Sequence, residues 1–236
     1  MIIFVRSLTF LFLFYMLSVA VALAMAPLLW APRAWMALVV RLWARTTMVL
    51  VRAVCGVRVE FRGLAHLPRG VALIAAKHQC MFDTIAPMTV FADPAYVMRD
   101  SLLKIPFYGW YSVKSGMIPI DREGQAGALR AMLTVAKSRA RENRQIVIFP
   151  EGTRTAPGTT GEYKPGVAAL YRVLDLPCTP MATNSGVHWP AHGFLRRPGL
   201  VVYEFLEPLP PGMERGEFMR QLETRLEAAS TALLPL

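Results

Sequence analysis

The chain reads as an α/β protein, a mostly parallel sheet flanked by helices, with an N-terminal hydrophobic helix pair as a membrane anchor. Three observations carry this reading. Residues 7–32 hold no charged side chain, and about 20 apolar residues suffice to cross a bilayer. From residue 57 onward, short apolar runs alternate with helical patterns, as expected for βα units. Polar residues follow directly on several of those runs, where open α/β sheets carry their sites. The 236 residues then divide into an anchoring segment, 1–55, and a globular domain, 56–236.

The elements follow in order. Ser7–Pro32 is the first apolar helix. Arg6 and Ala24-Met25-Ala26 resemble the ends of a signal peptide. Pro27 beside the would-be cut, and the apolar sequence beyond it, favour a retained anchor. Pro27 and Pro32 supply the turn, and residues 34–55 form a second helix. Arg41, Arg45 and Arg52 fall on one side of it, with Trp35 and Trp43 among the apolar rest. That pattern fits a helix lying in the interface with its arginines at the headgroups; a second buried or spanning helix is the other reading. Beyond it, Val57–Phe61, Val71–Ala76, Ala95–Met98, Met117–Ile120, Ile146–Phe149, Pro180–Thr183 and Leu200–Leu206 are strands. Thr84–Phe91, Gly127–Arg141 and Glu214–Leu233 are helices, the last with Phe218, Leu222 and Leu226 at core spacing.

Charge narrows the partners. The net charge is +10, and residues 1–59 contribute six arginines and no acid. Positive charge beside an apolar segment points to an anionic lipid surface. No nucleic-acid module signature is present, so nucleic acid is not expected as a partner. More arginine follows the first helix than precedes it. By the positive-inside rule the globular part then lies on the cytoplasmic side of the inner membrane, whether the helix pair crosses or dips into one leaflet. Three well-separated cysteines, Cys55, Cys80 and Cys178, form no disulfide framework.

Four segments carry chemistry. His78-Gln79-Cys80-Met81-Phe82-Asp83 is an H-x4-D. Its ends meet only if His78 lies in a loop and Asp83 on the first turn that follows. Asp83 then fixes one imidazole nitrogen and leaves the other as a base. Gly116-Met117-Ile118-Pro119-Ile120-Asp121-Arg122 and Phe149-Pro150-Glu151-Gly152-Thr153-Arg154 each end a strand in a carboxylate and an arginine. The forked guanidinium suits a phosphate, and Gly152 permits close backbone approach. Pro180-Met181-Ala182-Thr183-Asn184-Ser185-Gly186 is a fourth strand end.

In this order and at these spacings, the four segments resemble the glycerophosphate acyltransferase superfamily, and within it the bacterial 1-acyl-sn-glycerol-3-phosphate acyltransferases. The resemblance covers residues 57–206, and Leu103–Trp110 is similar to the family's segment between its first two blocks. Lys77 stands where the family often has Asn, and Cys80 where it often has Ser. The fourth block is more polar than in many members. The resemblance implies an acyltransferase catalytic domain with a glycerol-3-phosphate acyltransferase-like fold. It implies direct transfer from acyl-CoA or acyl-carrier protein to lysophosphatidic acid, with no metal and no cofactor beyond that co-substrate. His78 is then the base and Asp83 its orienting acid. Arg122, Arg154 and Lys104 hold the acceptor phosphate. Glu151 and Gly152, with Thr153 in the same motif, position the glycerol. Backbone amides near 183–186 would face the oxyanion.

Other readings compete. Cys80 two residues from His78 could be a thiol nucleophile. His188 and His192 form an H-x3-H, but Pro190 breaks the helix that would align them on a metal. Another lysolipid acceptor, such as a lyso-ornithine lipid or lysophospholipid, suits the same residues. So does a non-catalytic lipid-binding membrane protein, although binding alone requires no oriented base.

Overall fold

The computed structural model describes residues 1–121 and 124–235, apart from the side chain of Gln125. Two long helices open the chain, α1 (Ile2–Met25) and α2 (Arg33–Cys55), joined by a 3-10 turn at Ala26–Leu29. The strands are β1 (Val57–Arg62), β2 (Ala72–Ala76), β3 (Pro94–Arg99), β4 (Ile118–Ile120), β5 (Gln145–Ile148), β6 (Cys178–Thr183) and β7 (Gly199–Phe205). Between and after them lie α3 (Tyr108–Lys114), α4 (Gln125–Arg141), α5 (Gly166–Leu174), the single turn α6 (Ser185–His188) and α7 (Arg215–Ala232).

Among the described residues the strands form one seven-stranded sheet in the order β1-β7-β6-β2-β5-β3-β4. Every neighbouring pair is parallel except β6 with β7. Both faces of its centre are covered, which is why β2 and β5 read as unbroken apolar runs. Side chains alternate between two cores. Ile74, Ala76 and Val147 face one that includes Phe10, Phe14, Val51, Phe82 and Trp189. Leu73, Ala75, Ile146 and Ile148 face the other, filled by Met132, Leu170, Phe218 and Leu222 from α4, α5 and α7.

The helix pair is built into the first core. Phe10 meets Trp189 edge-on at 5.3 Å, and Trp189 stacks on Phe82 at 4.8 Å. Ser7, Phe10 and Phe14 make one buried stripe along α1. Most of its other apolar side chains, among them Leu8, Phe12, Met16, Val19 and Leu23, remain exposed. Ile2–Leu29 and Arg33–Cys55 are each long and apolar enough to cross a membrane, with mean hydropathies of 2.3 and 1.4.

Three elements differ from the sequence reading. Thr84–Phe91 is not a helix but part of two 3-10 turns, Met81–Thr84 and Ala86–Thr89. Pro87 offers no amide to the preceding turn and disfavours helical geometry at Ala86. Arg41 does not point outward with the other two arginines of its stripe. Its guanidinium turns inward and donates to the carbonyls of Phe91 and Ala92, 3.1 and 2.8 Å away. Arg45 and Arg52 stay exposed. The helices α3 and α5, absent from that reading, are short, seven and nine residues.

Candidate active site

Neighbouring strands β6, β2 and β5 deliver their following loops to one place. Lys77 N extends the ladder by one bond to Met181 O at 2.9 Å. The chain then leaves the sheet as His78. Cys80 caps the 3-10 turn Met81–Thr84, and Asp83 on that turn reaches back to the entering backbone. Its Oδ2 accepts from Gln79 N at 2.6 Å and Cys80 N at 2.8 Å. Those two bonds satisfy orphan amides at the turn's start and hold the carboxylate against the ring: His78 Nδ1 lies 3.1 Å from Asp83 Oδ2. Loop histidine and turn aspartate therefore meet as the spacing requires, on a 3-10 turn.

The second oxygen of Asp83 is also enclosed. Ser185 Oγ donates to Oδ1 at 2.5 Å and Tyr203 Oη at 3.2 Å, with Cys80 Sγ at 3.8 Å. Asp83 is fully buried, and these donors offset its lost hydration. With Nδ1 donating to Asp83, the lone pair of His78 sits on Nε2. Phe149 stacks on the imidazole at 4.0 Å and 20°, leaving the side chain 13% exposed. Burial, then the charge of Asp83, pushes the Tyr203 phenol far up, so it remains a donor. Burial and Asp83 likewise raise the Cys80 thiol well above its usual value. A buried thiol of this kind is a poor nucleophile.

The loop after β5 joins the same site. Thr155 N donates to His78 O at 2.9 Å, so Arg154 adjoins the imidazole's own backbone. Gly152 has φ +65°, a conformation L side chains rarely adopt. Thr153 and Arg154 are exposed. Lys104 is exposed at the end of the 3-10 segment Asp100–Lys104, beyond β3. Arg122 lies outside the described residues.

Glu151 stands apart from its neighbours. It is buried, and its Oε1 accepts from Lys77 Nζ at 2.7 Å, Thr155 Oγ1 at 2.9 Å and Gly161 N at 3.0 Å. Its Oε2 is enclosed without a hydrogen-bond partner. Lys77 also donates to both oxygens of Glu227 at 2.8 Å, and Tyr163 Oη donates to Glu227 at 2.8 Å. Lys77 thus ties the first block, the third block and α7 together.

The fourth block does different work from that expected. Ser185 N donates to Thr183 Oγ1, Gly186 N to Gln79 Oε1 and Val187 N to Asn184 O. The amides of Ser185 and Gly186 are thus committed within the protein. His188 Nδ1 contacts Arg197 O at 3.2 Å, burial lowers its pKa, and among the described residues no cluster of metal-ligating side chains forms. Ser185, Tyr203 and Lys77 are the participants the sequence reading missed. Ser185 had a signal, since it follows the end of β6. Tyr203 lies in an ordinary alternating strand and had none.

A histidine oriented by a buried aspartate, at the carboxyl ends of a mostly parallel sheet, defines an α/β protein with a His–Asp pair where such sheets carry their sites. A family model described as Acyltransferase matches residues 58–184, over half the chain, and the chain belongs to that family. It is 34% identical over 163 residues to the 1-acyl-sn-glycerol-3-phosphate acyltransferase of Pseudomonas aeruginosa, covering 69% of this chain and 63% of that one. The enzyme of the same name from Helicobacter pylori is 29% identical over 178 residues, 72% of each chain. The human alpha form is 27% identical over 143 residues, 60% of this chain and 50% of its own. The chain thus spans less than two thirds of the Pseudomonas relative's length and half of the human one's. The crystal structure of the 1-acyl-sn-glycerophosphate acyltransferase PlsC from Thermotoga maritima shares the fold. Its TM-score is 0.79 at 19% identity, covering 98% of this chain and 99% of that one.

Proposed function

We propose that this protein transfers a fatty acyl group from a thioester to the 2-hydroxyl of 1-acyl-sn-glycerol-3-phosphate, giving phosphatidic acid. The observation that carries the reading is the His78–Asp83 contact at 3.1 Å, stitched through Thr155 to the loop bearing Arg154. The names of the relatives supply the substrate class.

In this mechanism the acceptor O–H gives its proton to His78 Nε2 as its oxygen attacks the thioester carbonyl carbon. Asp83 orients the ring and stabilises the imidazolium. The tetrahedral intermediate expels the thiol sulfur, which recovers the proton from His78. The nucleophile belongs to the substrate, so no acyl-enzyme forms. Arg154, Lys104 and Arg122 hold the acceptor phosphate, while Glu151 shapes the loop that presents Gly152, Thr153 and Arg154 to it. Holding both reactants offsets much of the entropy of their encounter. The helix pair rests in the membrane, where lysolipid and product both reside, with the catalytic side facing the cytoplasm. The donor is acyl-CoA or acyl-carrier protein.

Purified protein assayed against lysophosphatidate, a lyso-ornithine lipid and lysophosphatidylethanolamine, with each thioester, tests the reading. Lysophosphatidate is expected to be acylated at least about tenfold faster than the zwitterionic acceptors, since the ornithine lipid lacks the phosphate and the ethanolamine diester carries less charge on it, and losing a charge-assisted contact costs roughly 1.5–3 kcal/mol. Faster turnover of another acceptor replaces lysophosphatidate as the substrate.

A further inference from the structure

We propose that α3 and the segment leading into it, residues 104–114, form a third contact with the phospholipid bilayer, contributed by the globular part itself. The proposal rests on the reading above that α1 and α2 sit in a membrane.

The segment exposes large apolar side chains at a density that a water-facing helix does not carry. Trp110 is 53% exposed, Val113 65%, Tyr108 49% and Ile105 48%. Trp110 and Val113 stand three residues apart, as neighbours on the helix surface. Contiguous apolar surface on a folded domain marks a binding face.

Its position identifies the partner. On its inner side, Tyr111 Oη donates to Ala22 O of α1 at 2.5 Å. That bond places α3 against the last turns of α1, beside exposed Leu23 and the exposed Trp30 of the connecting turn. The apolar side chains of α3 thus continue the outward surface of α1. Phe107 packs edge-on to Trp110 at 5.2 Å and has φ +63°, so the approach to the helix is a fixed bend.

Composition agrees with an anionic lipid surface. From Ser101 to Ile120 the chain holds two lysines, Lys104 and Lys114, and no acid. Tryptophan and tyrosine prefer the boundary between headgroups and acyl chains, and flanking lysines prefer the headgroups. In this arrangement Lys104 lies at headgroup depth, at the level of an acceptor phosphate.

Site-specific fluorescence tests the contact. Cys55, Cys80 and Cys178 are all buried, so single cysteines at Val113→Cys, Val19→Cys and Ala131→Cys take an environment-sensitive label selectively. Val19 reports α1, and Ala131 reports the exposed side of α4 across the sheet. Each protein is transferred from detergent to vesicles of phosphatidylethanolamine and phosphatidylglycerol, with or without brominated acyl chains. The label at 113 is expected to shift blue and be quenched by brominated lipid, as at 19, while the label at 131 stays unchanged. A label at 113 that stays in water while that at 19 is quenched overturns the α3 contact alone. No quenching at 19 or 113 overturns the membrane reading with it. A blue shift at 113 that grows with protein concentration, without bromolipid quenching, assigns the face to a second copy and also overturns the proposal. As a second variant, Val113→Glu is expected to weaken vesicle partitioning of the unlabelled protein about tenfold with unchanged thermal unfolding in detergent. Unchanged partitioning counts against the contact.

Discussion

Asp83 is the residue on which the site turns. Its Oδ2 accepts from two backbone amides and the imidazole, and its Oδ1 from Ser185 and Tyr203. The amides fix its place and the hydroxyls fix its rotation. Ser185→Ala removes the shortest of the side-chain donors, whose loss from a buried carboxylate costs about 1–3 kcal/mol. The expected result is a fall in kcat of about tenfold with both KM values within about twofold, because the ring's orientation acts on the chemical step. A variant that loses thermal stability at full kcat shows Ser185 to be structural only. The His78–Asp83 pair was legible from sequence because an H-x4-D meets in few backbone geometries. Ser185 and Tyr203 were not, because they reach Asp83 across the sheet, from 102 and 120 residues away.

At the scale of elements, Lys77 joins three of them. One buried ammonium faces Glu151 from the loop after β5 and Glu227 from α7. Lys77→Met leaves buried Glu151 and part-buried Glu227 without this cation, at a cost of about 3–5 kcal/mol. For a chain of this size that lowers the Tm by roughly 10 °C. Glu227→Gln keeps the Lys77–Glu151 pair and is expected to cost less than half as much. Thermal unfolding of the two variants checks the order, and equal or reversed losses contradict the arrangement. The strands were legible because both faces of the sheet centre are buried, giving apolar runs such as Ala72–Ala76. The turns at 81–89 were misread as one helix because apolar residues alone do not register Pro87. The inward turn of Arg41 was hidden because helical periodicity locates a side, not what covers it.

At the scale of the molecule, the helix pair belongs to the core on one side and keeps an exposed apolar face on the other. Removing residues 1–55 would strip Phe10 and Phe14 from Trp189, so deletion confounds anchoring with folding. A milder probe is the ion pair between Arg33 of α2 and Asp93, 2.6 and 2.7 Å long. Burial opposes the charge on Asp93, but the Arg33 hydrogen bond and the Arg144 charge outweigh it and hold the carboxyl below its usual range. A depressed carboxylate stabilises the folded state above its unfolded pKa of about 4, and that contribution is lost as pH falls through the folded value. The pair is about one-third exposed, which limits it to roughly 1 kcal/mol. Asp93→Asn is expected to lower the Tm by about 2–4 °C at pH 7, with the difference from the native protein shrinking below pH ~4. A difference that grows on acidification contradicts the assignment.

The apolar helix at the N-terminus was legible from sequence, since 26 successive uncharged residues (7–32) run through it. Its packing against Phe82 and Trp189 was not, because apolar residues facing lipid and apolar residues facing a core look alike. The most direct measurement is single-turnover acylation of lysophosphatidate by His78→Ala, with binding of both substrates measured separately. Loss of the base is expected to slow acyl transfer by about 10²–10⁴-fold with substrate affinities little changed. Transfer at near-native rate would show that His78 is not the base.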